Sequence, residues 1–167
     1  CLVVRRDDDG IRRYLHMGTG NYNDSTARFY TDIGMFTCRE EYGIDASSLF
    51  NVLTGYSFPP EYNKFIVAPH GMRTFFEAMI INETQNAKLG LNAKITAKVN
   101  SLVDPKIISL LYDASNAGVK VDLVVRGICC LVPGVKGFSE NIRVISVVGQ
   151  LLEHSRIFIF ENNGNPQ

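Results

Sequence analysis

Three stretches of this chain hold residue types at spacings that suit the binding or transfer of an anion. The first is His16-Met17-Gly18-Thr19-Gly20-Asn21-Tyr22-Asn23. Glycine lets a backbone turn tightly and close on an oxyanion, so several N–H groups can face one phosphate, while His16, Asn21 and Asn23 add side-chain donors. The glycine spacing is that of neither a Walker loop nor a dinucleotide fingerprint. The second stretch is Glu153-His154-Ser155-Arg156, which leads into Ile157 to Phe160 with Glu161 behind it. Residues two apart on a strand share a face, so His154 and Arg156 could clamp a phosphate between them. The third is Arg126, which ends the apolar run Val121 to Val125, where an α/β sheet presents its ligands. Each also has an ordinary reading: a turn that binds nothing, a solvated histidine at a strand edge, an arginine paired with a nearby carboxylate. Tyr30 and Asp32 are individually uninformative, and His70 reads as structural or solvated. Arg5, Arg6, Arg12 and Arg13 stand beside Asp7, Asp8 and Asp9 as a solvated charge cluster.

The elements that must position these residues follow from periodicity and punctuation. Leu2 to Arg5 and Ile11 to Leu15 read as strands of a hairpin closed at Asp9-Gly10, which puts His16 at a strand end. Ile33 to Cys38 reads as another strand, and Asp45 as the cap of a helix over Ala46 to Leu53 that stops at Gly55. Phe58-Pro59-Pro60-Glu61-Tyr62-Asn63 breaks regularity and marks a boundary between residues 1–62 and 63–167. Strand and helix then alternate: Phe65 to Ala68, a helix from Met72 to Leu89, a strand from Ala93 to Val99, and a helix capped by Asp104-Pro105 that ends before Gly118. Val121 to Val125 follows as a strand covered on both faces, with Ile142 to Val148 and Ile157 to Phe160 as further strands. The fold class is α/β, the second part a mostly parallel open sheet with flanking helices.

Composition narrows the function classes. Seventeen basic and seventeen acidic residues cancel, so the chain as a whole has no field suited to nucleic acid or an anionic membrane, and any anion site must be local. No apolar run approaches the roughly 20 residues that cross a bilayer, and no signal peptide is visible, which points to the cytoplasm. Cys1, Cys38, Cys129 and Cys130 form neither a disulfide framework nor a metal knuckle, and read as reduced thiols.

Taken together, the stretches resemble one family. Residues 13–23, Thr26-Ala27-Arg28-Phe29-Tyr30-Thr31-Asp32, Lys98-Val99-Asn100-Ser101-Leu102-Val103-Asp104, Leu123-Val124-Val125-Arg126-Gly127-Ile128-Cys129, Ser139-Glu140-Asn141-Ile142-Arg143 and Leu152-Glu153-His154-Ser155-Arg156 are similar, in order and spacing, to the larger, phosphohistidine-using polyphosphate kinases. His154 and Arg156, with Glu161 beyond, also look like a variant of the phospholipase D motif. The resemblance implies reversible transfer of the terminal phosphate of ATP to polyphosphate through a phosphorylated histidine, on two phospholipase D-like domains. Residues 1–62 would be the tail of the first and 63–167 most of the second, truncated at its C-terminal end. It implies that Tyr30, Arg126 and His154 contact ATP and that His16 is an active-site histidine. The catalytic set is then His16 and His154, and the phosphate-binding set Tyr30, Arg126, His154, Arg156, Asn21 and Asn23. Tyr30 rests on the resemblance alone.

The family's phosphoaccepting histidine, in a His-x-Lys motif, is expected upstream of Cys1, as are the residues near Mg2+. The 167 residues alone are therefore expected to be inactive, with no metal ligand of their own. The partners implied are ATP, ADP and polyphosphate, not nucleic acid. The full-length protein is expected to be a cytoplasmic homo-oligomer, with peripheral membrane association left open. Two other readings stand beside this one: a phosphodiesterase or nuclease of the phospholipase D superfamily, which would want lysine where Gly18 and Arg156 stand, and a non-catalytic nucleotide- or polyanion-binding module.

Overall fold

The computed structural model describes residues 1–55, 58 and 61–167. β1 (Leu2–Asp7) and β2 (Gly10–Gly18) form the expected hairpin, with Asp7 opposite Gly10 and Gly10 at φ 126°, a setting that glycine adopts without a Cβ clash. The charges at its tip are spent on one another: Asp7 accepts from Arg5 Nε at 2.6 Å and from the Tyr14 hydroxyl at 2.5 Å, and Arg12 pairs with Asp9. After the glycine-rich turn, the short β3 (Tyr30–Thr31) leaves this sheet, and β4 (Gly34–Thr37) returns to pair antiparallel with β2. α1 (Glu40–Thr54) packs against β2, where Arg13 Nε donates to Ser47 Oγ at 3.0 Å, and stops at Gly55 as expected.

Asp45 does not cap this helix. The helix begins earlier, where Glu40 and Glu41 complement the positive end of its dipole, and Asp45 lies inside it, 1% exposed. Its carboxylate accepts from the Asn63 amide nitrogen and backbone N–H at 2.9 and 3.0 Å, and from the N–H groups of Lys64 and Phe65 at 2.6 and 2.9 Å. Burial by itself would raise the pKa of Asp45, but these donors outweigh it and hold the carboxyl below its ordinary value. The same bonds explain why Phe65 to Ala68 is not the expected strand: the amides that would start a ladder are turned onto Asp45. The expected boundary at Phe58 to Asn63 runs through Pro59 and Pro60, which lie outside the described residues.

The second part is a four-stranded sheet of order β7-β6-β5-β9. Its helices are α2 (Met72–Lys88) and α3 (Pro105–Asn116), and its strands β5 (Lys94–Val99), β6 (Lys120–Val125), β7 (Ile142–Ile145) and β9 (Ile157–Phe160), with the two-residue β8 (Leu152–Glu153) outside it. β5, β6 and β7 are parallel, and β9 runs antiparallel beside β5. Both helices cover one face. Ile95, Ala97, Val121, Leu123, Val125 and Ile142 point into it and meet Met79 and Ile80 of α2 and Ile108 and Leu111 of α3. Burying one such leucine or isoleucine contributes about 1.5–3 kcal/mol, which makes this face the main store of stability. β6 is therefore not covered on both faces; its other side carries Asp122, bonded to Arg143 at 2.8 Å and paired with Lys94 at 3.1 Å. Asp104 caps α3 as expected, accepting from Lys106 and Ile107, and the left-handed Gly90 and Gly118 follow α2 and α3. Glu83, fully buried, ties α2 to the end of the sheet where β5 begins and β9 finishes, accepting from the N–H groups of Lys94 and Asn162 at 2.9 and 2.6 Å. Among the described residues no helix is long and apolar enough to cross a membrane.

Asp45→Ala would strand the amides of residues 63–65 and is expected to cost about 1–3 kcal/mol in denaturant unfolding. Because the folded pKa is depressed, the carboxylate's contribution is complete above the unfolded pKa of ~3.9 and is lost as pH falls through the lower folded value. The gap between parent and variant should therefore hold from neutral pH to about pH 5 and close below it. A gap that widens on acidification contradicts this role.

Candidate active site

The two parts of the chain meet in a parallel ladder of two residue pairs: Tyr30 lies opposite Leu152 and Thr31 opposite Glu153. Sequence reasoning missed it, since neither β3 nor β8 has the length to show a period. It places the glycine-rich turn against the segment that carries His154. The His154 N–H donates to the Thr31 carbonyl at 2.9 Å, and Nδ1 of its ring lies 2.8 Å from the Thr19 carbonyl oxygen. A carbonyl can only accept, so Nδ1 carries the hydrogen and Nε2 is the nitrogen left for other chemistry. The ring tilts against Tyr30 at 4.7 Å between centroids.

Tyr30 is buried and fixed by the turn itself. Its hydroxyl donates to the Asn21 carbonyl at 3.0 Å and accepts from the Asn21 N–H at 2.9 Å. Gly20 lets the turn pack against the Asp32 side chain, whose Oδ2 a Cβ at that position would displace. The Asn23 carbonyl oxygen Oδ1 accepts from Thr26 N–H at 3.0 Å and so caps the single 3-10 turn that leads to Tyr30, which leaves its amide nitrogen as the group free to meet an anion. The side chains of Asn21 and Asn23 thus ride on a turn whose backbone is pinned at several points.

Arg126 leaves the carboxyl end of β6, half-buried, and the adjoining Gly127 N–H donates to the Asn100 carbonyl at 2.7 Å. A Cβ on Gly127 would meet that carbonyl at 2.8 Å, so only glycine lets the loops after β5 and β6 run this close. Leu102 and Cys129 then bridge the same two loops. Because β9 is antiparallel to β5, with Lys98 opposite Ile157, residues 154–156 arrive at this same end of the sheet. Two strand spacings, on the order of 10 Å, separate the backbones of Arg126 and Arg156.

The expected clamp between His154 and Arg156 on one strand face is not formed. Residues 154–156 are not strand but the bend between β8 and β9, and the exposed Arg156 donates through Nη1 to the His154 carbonyl at 3.1 Å. Glu161 lies at the opposite end of the sheet, its N–H on the Lys94 carbonyl. His16 sits on β2 with its ring against Phe36 at 4.5 Å and Nδ1 at 2.5 Å from the Tyr22 hydroxyl, beside an apolar cavity of about 350 Å³ that Val3 and Cys38 also line. Gly34 makes room for it, since a Cβ there would meet Nε2 at 2.8 Å. Among the described residues it makes no hydrogen bond or ring contact with Tyr30, His154 or Arg126. His70 is exposed and apart. A residue that sequence reasoning did not single out is Lys98, near the end of β5, whose Nζ donates to Glu153 Oε2 at 2.5 Å and to Ser155 Oγ at 2.6 Å. The lysine's hydrogen bond and charge hold the Glu153 carboxyl below its ordinary pKa. The sequence signal was a lysine inside an otherwise sheltered strand. Among the described residues no three His, Cys, Asp or Glu side chains converge as a group that could hold a metal ion.

The chain matches two family models end to end: Polyphosphate kinase C-terminal domain 1 over residues 1–59 and Polyphosphate kinase C-terminal domain 2 over residues 65–167. It is 57% identical over 167 residues to the polyphosphate kinase of Lactiplantibacillus plantarum, covering 100% of this chain and 23% of the relative. It is 58% identical over 166 residues to that of Synechocystis sp., covering 99% of this chain and again 23% of the relative. The crystal structure of polyphosphate kinase from Porphyromonas gingivalis superposes with a TM-score of 0.87 at 40% identity, over 93% of this chain and 26% of that one. The chain thus spans about 23% of the length of these curated relatives. With both halves matched in order and the fold shared with a solved member, the chain belongs to the polyphosphate kinase family.

Proposed function

We propose that this chain supplies much of the ATP-handling side of an enzyme that moves the terminal phosphate of ATP reversibly onto polyphosphate through a phosphohistidine. The observation that carries the reading is the β3–β8 ladder, which sets the glycine-rich turn, Tyr30 and His154 together at the sheet end that also presents Arg126. Donors contributed by two units at one end of the sheet suit a polyanionic substrate. The two units are two phospholipase D-like domains that divide near residue 62, a division supported by the separate family matches on either side. The accepting histidine belongs to a His-x-Lys motif upstream of Cys1, so neither His16 nor His154 is the nucleophile, and the 167 residues alone do not take up phosphate.

In this reading Arg126 holds phosphate oxygens with a permanently charged, planar donor set, and Asn21, Asn23 and Arg156 add contacts along the phosphates. Tyr30 backs the His154 ring and borders the nucleotide. As the bond between the γ-phosphorus and the bridging oxygen of ATP breaks and a phosphorus–nitrogen bond forms, negative charge grows on ADP. Nε2–H of a protonated His154 faces that oxygen as hydrogen-bond donor or general acid. His16 supports the transfer from β2. Mg2+ is expected to arrive with the nucleotide, on ligands outside this chain. ATP, ADP and polyphosphate are the partners, in a cytoplasmic homo-oligomer.

In the full-length enzyme, Arg126→Ala should depress ATP use far more than it depresses the melting temperature, and Arg126→Lys should restore it only in part. Unchanged kinetics with a lowered melting temperature would assign Arg126 to structure.

His154→Ala is expected to lower kcat by ~100- to 10,000-fold with the fold intact, the range for a positioned general acid. His154→Gln separates the two roles, because glutamine replaces a donor in part but not a proton source. If both variants keep the rate and its pH profile within about twofold of the parent, His154 is a bystander.

A further inference from the structure

Residues 153–155 cross from one sheet to another: Glu153 is the last residue paired with β3, and Ile157 the first paired with β5. A bend between two ladders has few bonds of its own, yet a ring that acts on a reacting phosphate must be held to a fraction of an ångström. Its backbone is tied by the His154 N–H on Thr31. A further tie comes from β5. Lys98, with its side chain 17% exposed, spans both neighbours of His154, one bond to the Glu153 carboxylate and one to the buried hydroxyl of Ser155.

That both neighbours point at one ammonium fixes the direction of the residue between them. With Glu153 and Ser155 both turned onto Lys98, the His154 ring between them is turned to the other side, to Tyr30 and the Thr19 carbonyl. The ammonium is also neutralised by its own partner. A lysine bound to carboxylate and hydroxyl in this way is not offering its charge to a ligand, in contrast to Arg126, whose guanidinium has no carboxylate partner among the described residues. We propose that Lys98 is a positioning residue that fixes His154 by holding Glu153 and Ser155, and so sets where Nε2 stands relative to the transferred phosphate. This rests on the reading of His154 as the donor in phosphate transfer.

A double-mutant cycle in the full-length enzyme tests it, using Lys98→Met, which keeps the aliphatic stem, alone and combined with His154→Ala. Lys98→Met should lower kcat about 10- to 100-fold, as loss of an orienting outer partner does elsewhere, with the KM for ATP within about twofold of the parent. Lys98→Arg, able to meet both acceptors, should recover part of the loss. In the His154→Ala background Lys98→Met should cost less than about twofold, because a residue that acts through another has nothing left to position. An undiminished cost in that background overturns the proposal and makes the lysine a structural residue. A rise in the KM for ATP that accounts for the whole loss also overturns it, and makes Lys98 a phosphate ligand. Ser155→Ala, which removes one of the two bonds and leaves the ion pair, should show a smaller effect with the same dependence on His154, and decides the matter if Lys98→Met fails to fold. Should His154→Ala leave kcat unaltered, the function proposed for His154 fails by itself; a loss in His154→Ala with additive behaviour of Lys98 refutes this inference alone.

Discussion

Everything that joins the two parts of the site depends on a ladder of two residue pairs, Tyr30 with Leu152 and Thr31 with Glu153. Backbone hydrogen bonds contribute only about 0.5–1.5 kcal/mol each in net terms, so so short a ladder does not hold a register without help. The help is local on both sides. Tyr30 is buried with its hydroxyl closed on the backbone N–H and carbonyl of Asn21, which ties the turn to the strand. Glu153 is held from the other side by Lys98. Asp45 adds a third constraint farther along the chain, drawing residues 63–65 onto α1 where the first part gives way to the second.

The division of labour follows from where apolar area is buried. The helices α2 and α3 and one face of the four-stranded sheet hold the continuous core, and none of its members belongs to the candidate site. The site lies in the loops at the carboxyl ends of β5 and β6, in the bend before β9 and in the turn after β2, where backbone groups are free to face a ligand. Gly127 shows the cost of bringing such loops together, standing where a Cβ would collide with the Asn100 carbonyl, and Gly20 lies close against the Asp32 side chain. These contacts let polar backbone from separate elements approach closely while the core remains undisturbed.

What the sequence made legible was whatever depends on nearby residues. The Asp-Gly hairpin, the Asp104-Pro105 cap, the glycine stops after α2 and α3 and the placement of Arg126 at a strand end all rest on interactions within a few positions. The failures all involve a partner far away. Asp45 has the chemistry of a cap, but it sits inside α1 and accepts from the amides of residues 63–65, a pairing that no local pattern encodes; the strand expected at Phe65 was lost for the same reason. His154 and Arg156 had strand spacing, but the chain changes sheets between them, so the shared face vanished. The contact of Tyr30 with His154 joins residues more than a hundred positions apart, and only the family resemblance pointed to Tyr30. Lys98 was hidden by its own neighbourhood, a charged residue in a strand whose partners sit three strands later, at the end of β8 and in the bend after it.

The central claim is that nucleotide is bound between the two units, at the place where the ladder brings the turn and the His154 segment together with Arg126. Amide hydrogen exchange of the full-length enzyme, with and without a non-hydrolysable ATP analogue, reads this most directly. The account predicts slowed exchange in residues 19–23 and 30–31 of the first unit together with 126–128 and 153–156 of the second, at the same analogue concentration. Protection confined to one unit, or absent from both sets while the analogue is bound elsewhere, would contradict it.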